Sequence, residues 1–282
     1  MKTTHLKSNS LRALLPLALA SLLVLLPGCG DDDDEAGSVS VLLDHTVTDQ
    51  DLVFDEADYT NEAGNQYQVT RLDYILTDVA LLQADGKRFQ LAAQHYRNAR
   101  LSSTRRLEVD KVPGAIYTAL NFTFGVSGPG DQTGTLPNIA AFNNMAWPEA
   151  MGGGYHYMKL EGNYQTSDTE GAFLFHLGPS GGGDFSISVE LPLNLEVNGD
   201  DWDIHVVMDL AEWFTSPNTY DFAGRGGIMG DEALQATLQQ NGATVFTLGP
   251  INPHVHDRDD EHNDDQEIEE ENHDDDHSDG SG

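Results

Sequence analysis

The chain has 282 residues, with 47 Asp and Glu against 14 Lys and Arg, a formal net charge of −33. A surface this acidic repels phosphates, which excludes nucleic acid as the main partner and argues against unaided docking on anionic lipid. The single cysteine, Cys29, excludes an intramolecular disulfide and any thiolate-rich metal cluster. The charge is uneven: residues 257–282 hold 14 acids and one base, Arg258, and Asp31–Glu35 is an unbroken acidic run. Residues 36–256 have an ordinary globular composition, so the fold is expected there.

In chain order, Lys2, Lys7 and Arg12 precede the apolar stretch Ala13–Leu26. That stretch is too short for a comfortable membrane span, and residues 1–28 read as a secretory leader. It closes in Leu26-Pro27-Gly28-Cys29, which resembles a bacterial lipoprotein cleavage box with Cys29 as the lipidated first residue. Residues 29–37 then form an acidic tether. Together these place the protein in the periplasm or on the cell surface, anchored to the outer membrane through lipid alone.

The mature body, 38–256, reads as all-β. Ser38–Leu43, Gln66–Leu82, Ala115–Val126, Tyr155–Leu160, Ala172–Leu177, Phe185–Val197 and Trp202–Leu210 have strand composition. Phe185, Ile187, Val189 and Leu191 alternate strictly with polar residues, the pattern of a half-buried strand. Strands of this kind between Gly, Asn and Asp turns predict an antiparallel β-sandwich with long loops. One short helix is expected over Asp231–Gln240, stopped by Asn241-Gly242. Ser127–Trp147, rich in Gly, Pro and Asn, reads as a large loop of the kind that carries function. The tail 257–282 has one aliphatic residue, Ile268, and is expected to be disordered.

Histidine is the main chemical signal. His45, His95, His156, His176, His205 and His254 fall in the body, and His256, His262, His273 and His277 line the acidic tail. Neutral imidazole is the common protein ligand for copper and zinc, and no spare thiolate competes here. A lone histidine on a strand is more often a hydrogen-bonded structural residue. His156, behind three glycines, and His176, at the end of the next strand, could face each other across a ladder and form half a metal site. His45 and His95 are the second choices, and His205 reads as structural or exposed. Met145, Met151 and Met158 could supply thioethers to Cu(I), with core packing the default for Met158. Asp200, Asp201 and Asp203 could hold calcium but fit a solvated turn better. No phosphate loop, dinucleotide motif or nucleophile elbow is present. A binding protein rather than an enzyme is therefore expected.

Longer stretches extend this reading. Phe142-Asn-Asn-Met-Ala-Trp147, Gly154-Tyr-His-Tyr-Met-Lys-Leu-Glu-Gly162 and Phe175-His-Leu-Gly178 resemble the MbnP-like copper-binding protein family. Tyr59–Leu81 is similar to that family's first long strand pair, and Trp213–Phe222 and Gln240–Phe246 look like its close. The resemblance spans roughly residues 38–250. It implies copper, as Cu(I) or Cu(II), held by histidines in a β-rich domain that serves copper acquisition or delivery. It also implies methanobactin-type copper handling and a diheme cytochrome-c-peroxidase-like partner. In some relatives that partner oxidises a tryptophan to kynurenine, and the Met-x-Trp motif puts Trp147 at the matching position. Pro179-Ser-Gly-Gly-Gly183 stands where some members carry a cysteine pair. Two other readings stay open: a periplasmic zinc-binding protein with the His-rich tail as collector, and a surface adhesin or carbohydrate-binding sandwich using Trp147, Tyr155 and Tyr157 as a platform.

Overall fold

The computed structural model describes residues 36–56 and 58–254. The leader, Cys29, the acidic run and the four tail histidines lie outside the described residues. Among the described residues no helix is long and apolar enough to cross a membrane.

Two sheets make an open β-sandwich. The smaller contains β1 (Gly37–Val47), β2 (Gln50–Asp51), β6 (Arg106–Val112), β11 (Trp202–Asp209) and β12 (Phe246–Pro253), in the order β12-β11-β1-β2 with β6 also on β1. The larger contains β3 (Tyr59–Thr60), β4 (Gln66–Gln83), β5 (Arg88–Asn98), β7 (Ala115–Phe124), β8 (Met158–Gln165), β9 (Glu170–Leu177) and β10 (Ile187–Val197). Its order is β10-β7-β4-β8-β9, with β3 and β5 also on β4.

One pairing departs from the antiparallel expectation. β1 and β11 run parallel, from Val39 opposite Trp202 to Thr46 opposite Asp209. More than 150 residues, including the whole of the larger sheet, separate the two strands, and a connection that long imposes no hairpin. Three longer strands were not foreseen. β5 and β6 are polar and half-exposed, and β12 carries Pro250 and Pro253, which only an edge strand tolerates.

β4 organises the larger sheet. Its 18 residues pair with β8 over Gln66–Tyr74 and with β7 over Leu76–Gln83. At the junction Ile75 N donates to Tyr157 O and Ile75 O accepts from Gly125 N. Tyr67, Val69, Leu72, Tyr74 and Leu76 are buried. The expected alternation in β10 holds: Ile187, Val189 and Leu191 are buried while Ser188 and Glu190 are exposed. Tyr67, Phe173, Phe175, Phe214, Tyr220 and Phe222 pack as one aromatic cluster, with Phe175 stacked on Phe222 at 5.7 Å. Burying rings of this size is the main source of stability in such a sandwich.

Two helices matter for the site. α1 (Ala140–Asn143) is a four-residue turn within the loop expected over 127–147. It lays Phe142 on Tyr96 of β5, ring centroids 6.4 Å apart, so the loop covers the outer face of the larger sheet. α2 (Glu232–Asn241) begins one residue after Asp231, whose side chain accepts from Ala233 N and Leu234 N as its N-cap.

Candidate metal centre

The backbone around His156 is set by three consecutive glycines. Gly152, Gly153 and Gly154 have φ of 107°, 71° and 98°, a left-handed run open to glycine alone. It turns the chain so that Trp147 N donates to Gly154 O at 2.9 Å and Ala146 bridges to Tyr155. Asp131 pins the returning strand. Its Oδ1 accepts from Tyr155 N at 2.9 Å and its Oδ2 from the Tyr157 hydroxyl at 2.6 Å. Burial, with the Asp184 charge adding to it, pushes the Asp131 carboxyl up to about 6 against those two bonds.

His156 therefore sits just ahead of β8, off the strand where the sequence reading put it. His176 lies on β9, as expected, and β8 and β9 are antiparallel neighbours whose last rung is Met158 opposite Leu177. His176 stands one rung before it, opposite Lys159, and its imidazole meets that of His156, centroids 5.0 Å apart at 85°. The Trp147 ring also lies against His156, centroids 4.7 Å apart.

Each imidazole is held by one nitrogen. Met145 O accepts from both the backbone amide of His156 at 2.6 Å and its Nδ1 at 3.1 Å. A carbonyl only accepts, so Nδ1 carries the proton and Nε2 keeps its lone pair. His176 Nε2 bonds Glu161 Oε1 at 2.9 Å, which leaves the lone pair on Nδ1. Glu161 is steadied by Arg71 Nη1 at 3.2 Å, and Arg71 also grips Asp73 at 2.6 Å. This is the outer-shell pattern of metal-binding histidines, where a carbonyl or carboxylate fixes tautomer and ring orientation.

Both rings are poised neutral. Burial first, then the Lys159 ammonium, push His156 down to about 3. Burial also lowers His176, partly opposed by Glu161. Neutral imidazole is the ligating form. Nearby, the Trp147 Nε1–H is buried with no hydrogen-bond acceptor, as are those of Trp202 and Trp213. An indole donor left unmet in a protein interior is uncommon and calls for an explanation. Two neutral imidazoles are donors of the kind that copper and zinc both take. Among the described residues no group of three or more His, Cys, Asp or Glu converges at ligating distance.

The second-choice histidines lie elsewhere. His45 on β1 points between the sheets, Nε2 3.1 Å from the Tyr74 hydroxyl, and burial pushes it down to about 3. Tyr74 faces the core side of β4, whereas Arg71 and Asp73 mark the outer side where Glu161 and His176 lie. The sheet itself separates His45 from the pair. His95 on β5 bonds Thr104 O at 2.9 Å beside the β5–β6 turn. His205 bonds Asp44 at 2.7 Å and His254 bonds Asp203 at 3.1 Å. Asp203 also pairs with Arg106, and Asp201 accepts from Ser38 N, so both carboxylates are engaged with protein groups. Met145 and Met158 are fully buried. Trp147, Tyr155 and Tyr157 are at most 3% exposed, which removes the proposed sugar platform.

Sequence reasoning missed Glu161, Arg71, Lys159 and the Met145 carbonyl. The half-buried polar alternates Lys159 and Glu161 of β8 carried a signal, but reading it required knowing that β9 pairs there.

The model of the MbnP family matches residues 36–230 of this chain. No curated protein matches it. The solved structure of MbnP from Methylosinus trichosporium is similar, with a TM-score of 0.52 at 13% identity. The match covers 78% of this chain and 99% of that one, and at this identity the likeness speaks for the fold alone. On the family match, over most of the sandwich, the chain belongs to the MbnP family.

Proposed function

We propose that this protein binds copper through His156 and His176 as an exported, lipid-anchored component of copper acquisition or delivery. The observation that carries the reading is the imidazole pair, 5.0 Å apart, each ring tied by one nitrogen with the other left for a ligand. Copper is the cargo rather than a reagent, and the chain itself performs no chemistry on a substrate. Two imidazoles suit Cu(I), which accepts low coordination, better than zinc, which normally takes four ligands.

Trp147 is the residue we assign for oxidation to kynurenine by a diheme cytochrome-c-peroxidase-like partner. Its ring touches His156, which neither Trp202 nor Trp213 is shown to do. The anchor would be Cys29, which keeps the domain on the outer membrane.

The test is intact mass and metal analysis on protein from its native membrane fraction, followed by His156→Ala with His176→Ala. Copper near one per chain, lost in the double variant, supports the reading. Unchanged copper affinity in the double variant refutes the site. A mass gain that maps away from Trp147 refutes the modification assignment.

A further inference from the structure

We propose that a second site lies in the gap between β1 and the β5–β6 turn, and that it takes a small organic anion: a carboxylate carried on a compact apolar body. It is independent of the copper reading, because the larger sheet stands between this gap and the His156–His176 pair.

The gap follows from the pairing of β1. β6 pairs with β1 only as far as Leu42, and β2 takes up the same edge at Thr46. Leu43 N donates to Arg105 O at 2.9 Å and His45 O accepts from Leu52 N at 3.0 Å. Between those bonds the strand edge opens onto a cleft of about 420 Å³, the size of a small-molecule site. Leu52, Phe54, Ala99 and Val207 give the cleft apolar walls, and His45 and Arg105 line it with donors.

The tautomer of His45 makes it a donor. Tyr74 is fully buried, and its hydroxyl meets only His45 Nε2, at 3.1 Å. Were Nε2 protonated, the phenol proton would be buried with no acceptor. The hydroxyl therefore donates, and Nδ1 carries the imidazole proton. Among the described residues nothing accepts from Nδ1. Arg105 spends only its Nε, on Asp44 Oδ1 at 2.6 Å, which leaves both terminal nitrogens for a ligand.

Behind these donors stands an unneutralised charge. Arg97 is opposite Tyr74 on the β4–β5 ladder and 4% exposed. Its Nη1 donates to Asn98 O, Leu101 O and Thr104 Oγ1, all uncharged, and its Nε is buried with no acceptor. A buried cation ordinarily carries a paired anion. The Arg97 charge reaches His45 and Tyr74 and repels Arg105, so it acts on the cleft. Two acids also line the cleft. Asp44 is taken up by Arg105 and by His205, at 2.7 Å. Asp51 on β2 is exposed and opposes an anion. A cation would meet two guanidinium groups with that single uncommitted carboxylate.

The test titrates benzoate and hexanoate into the isotope-labelled mature chain, with benzamide and acetate as controls, and follows the resonances of the cleft residues. Both acids should give saturable shifts at His45, Leu52 and Ala99. Benzamide, for want of charge, and acetate, for want of apolar surface, should each bind roughly tenfold more weakly or worse. Arg105→Gln should weaken benzoate about tenfold, and Asp51→Asn should strengthen it severalfold. His45→Phe should abolish binding. If it fails to fold because the Tyr74 hydroxyl is left unmet, the other two variants and the control ligands carry the measurement. No saturable shift with either acid overturns the proposal. So does benzamide or acetate binding as tightly as benzoate, or an unchanged benzoate affinity in Arg105→Gln.

Discussion

Asp131→Asn should flatten one part of the stability–pH curve. Asp131 clasps the long loop to the strand entering the site, through Tyr155 N and the Tyr157 hydroxyl. Its carboxyl sits at about 6 in the fold, above the ordinary 3.8. A raised folded pKa means the folded state holds the proton more tightly than the unfolded chain. The resulting stabilisation is full below about 3.8 and is lost as pH rises through about 6. Linkage gives about 2 kcal/mol between pH 4.5 and 7.5, and partial exposure of the group roughly halves it to about 1 kcal/mol. The assay is urea unfolding of both proteins at several pH values across that window. Asp44, Asp184 and Asp203, whose carboxyls the fold lowers, contribute the opposite slope to both proteins and cancel in the comparison. The wild type should lose about 1 kcal/mol relative to Asp131→Asn as pH rises from 4.5 to 7.5. Parallel curves would refute the reasoning and leave Asp131 as an ordinary surface carboxylate.

Gly178→Ala should destabilise the fold by about 1–3 kcal/mol, because a Cβ there would stand 2.5 Å from Trp147 Cε3 and Cζ3. Denaturant midpoints and indole fluorescence check it, and an unshifted Trp147 signal with full stability would contradict the packing. Copper affinity should change less than about tenfold between pH 7.5 and 5.5, since burial holds His156 neutral throughout and lowers His176 as well. Two unperturbed imidazoles would lose roughly 100-fold over that range, and a loss of that size in competition titrations would show that the site is open to water. Cys29→Ala should move the protein from the membrane fraction to the soluble one. Retention on the membrane would remove the lipid anchor from the account.

Much of the sandwich was legible because its evidence is local. The alternation from Phe185 to Leu191 and the β-branched and aromatic run of β4 report one buried face directly. The helix start at Asp231 is equally local, since an N-cap acts within one turn. β5, β6 and β12 stayed hidden because polar, half-exposed or proline-bearing strands are held by their neighbours rather than by their own composition. The platform of Trp147, Tyr155 and Tyr157 was misread for a related reason: sequence shows an aromatic ring but not what covers it.

By itself the sequence determined the all-β class, the acidic character, the shortage of thiolates and the set of histidines available for ligation. Tertiary structure alone decided which of those histidines meet. Register places His176 beside the end of β8, three glycines swing His156 to it, and β4 stands between that pair and His45. The same folding supplies Glu161, Arg71 and Lys159. Their role depends on distances across strands up to 90 residues apart in the chain, which no local pattern encodes.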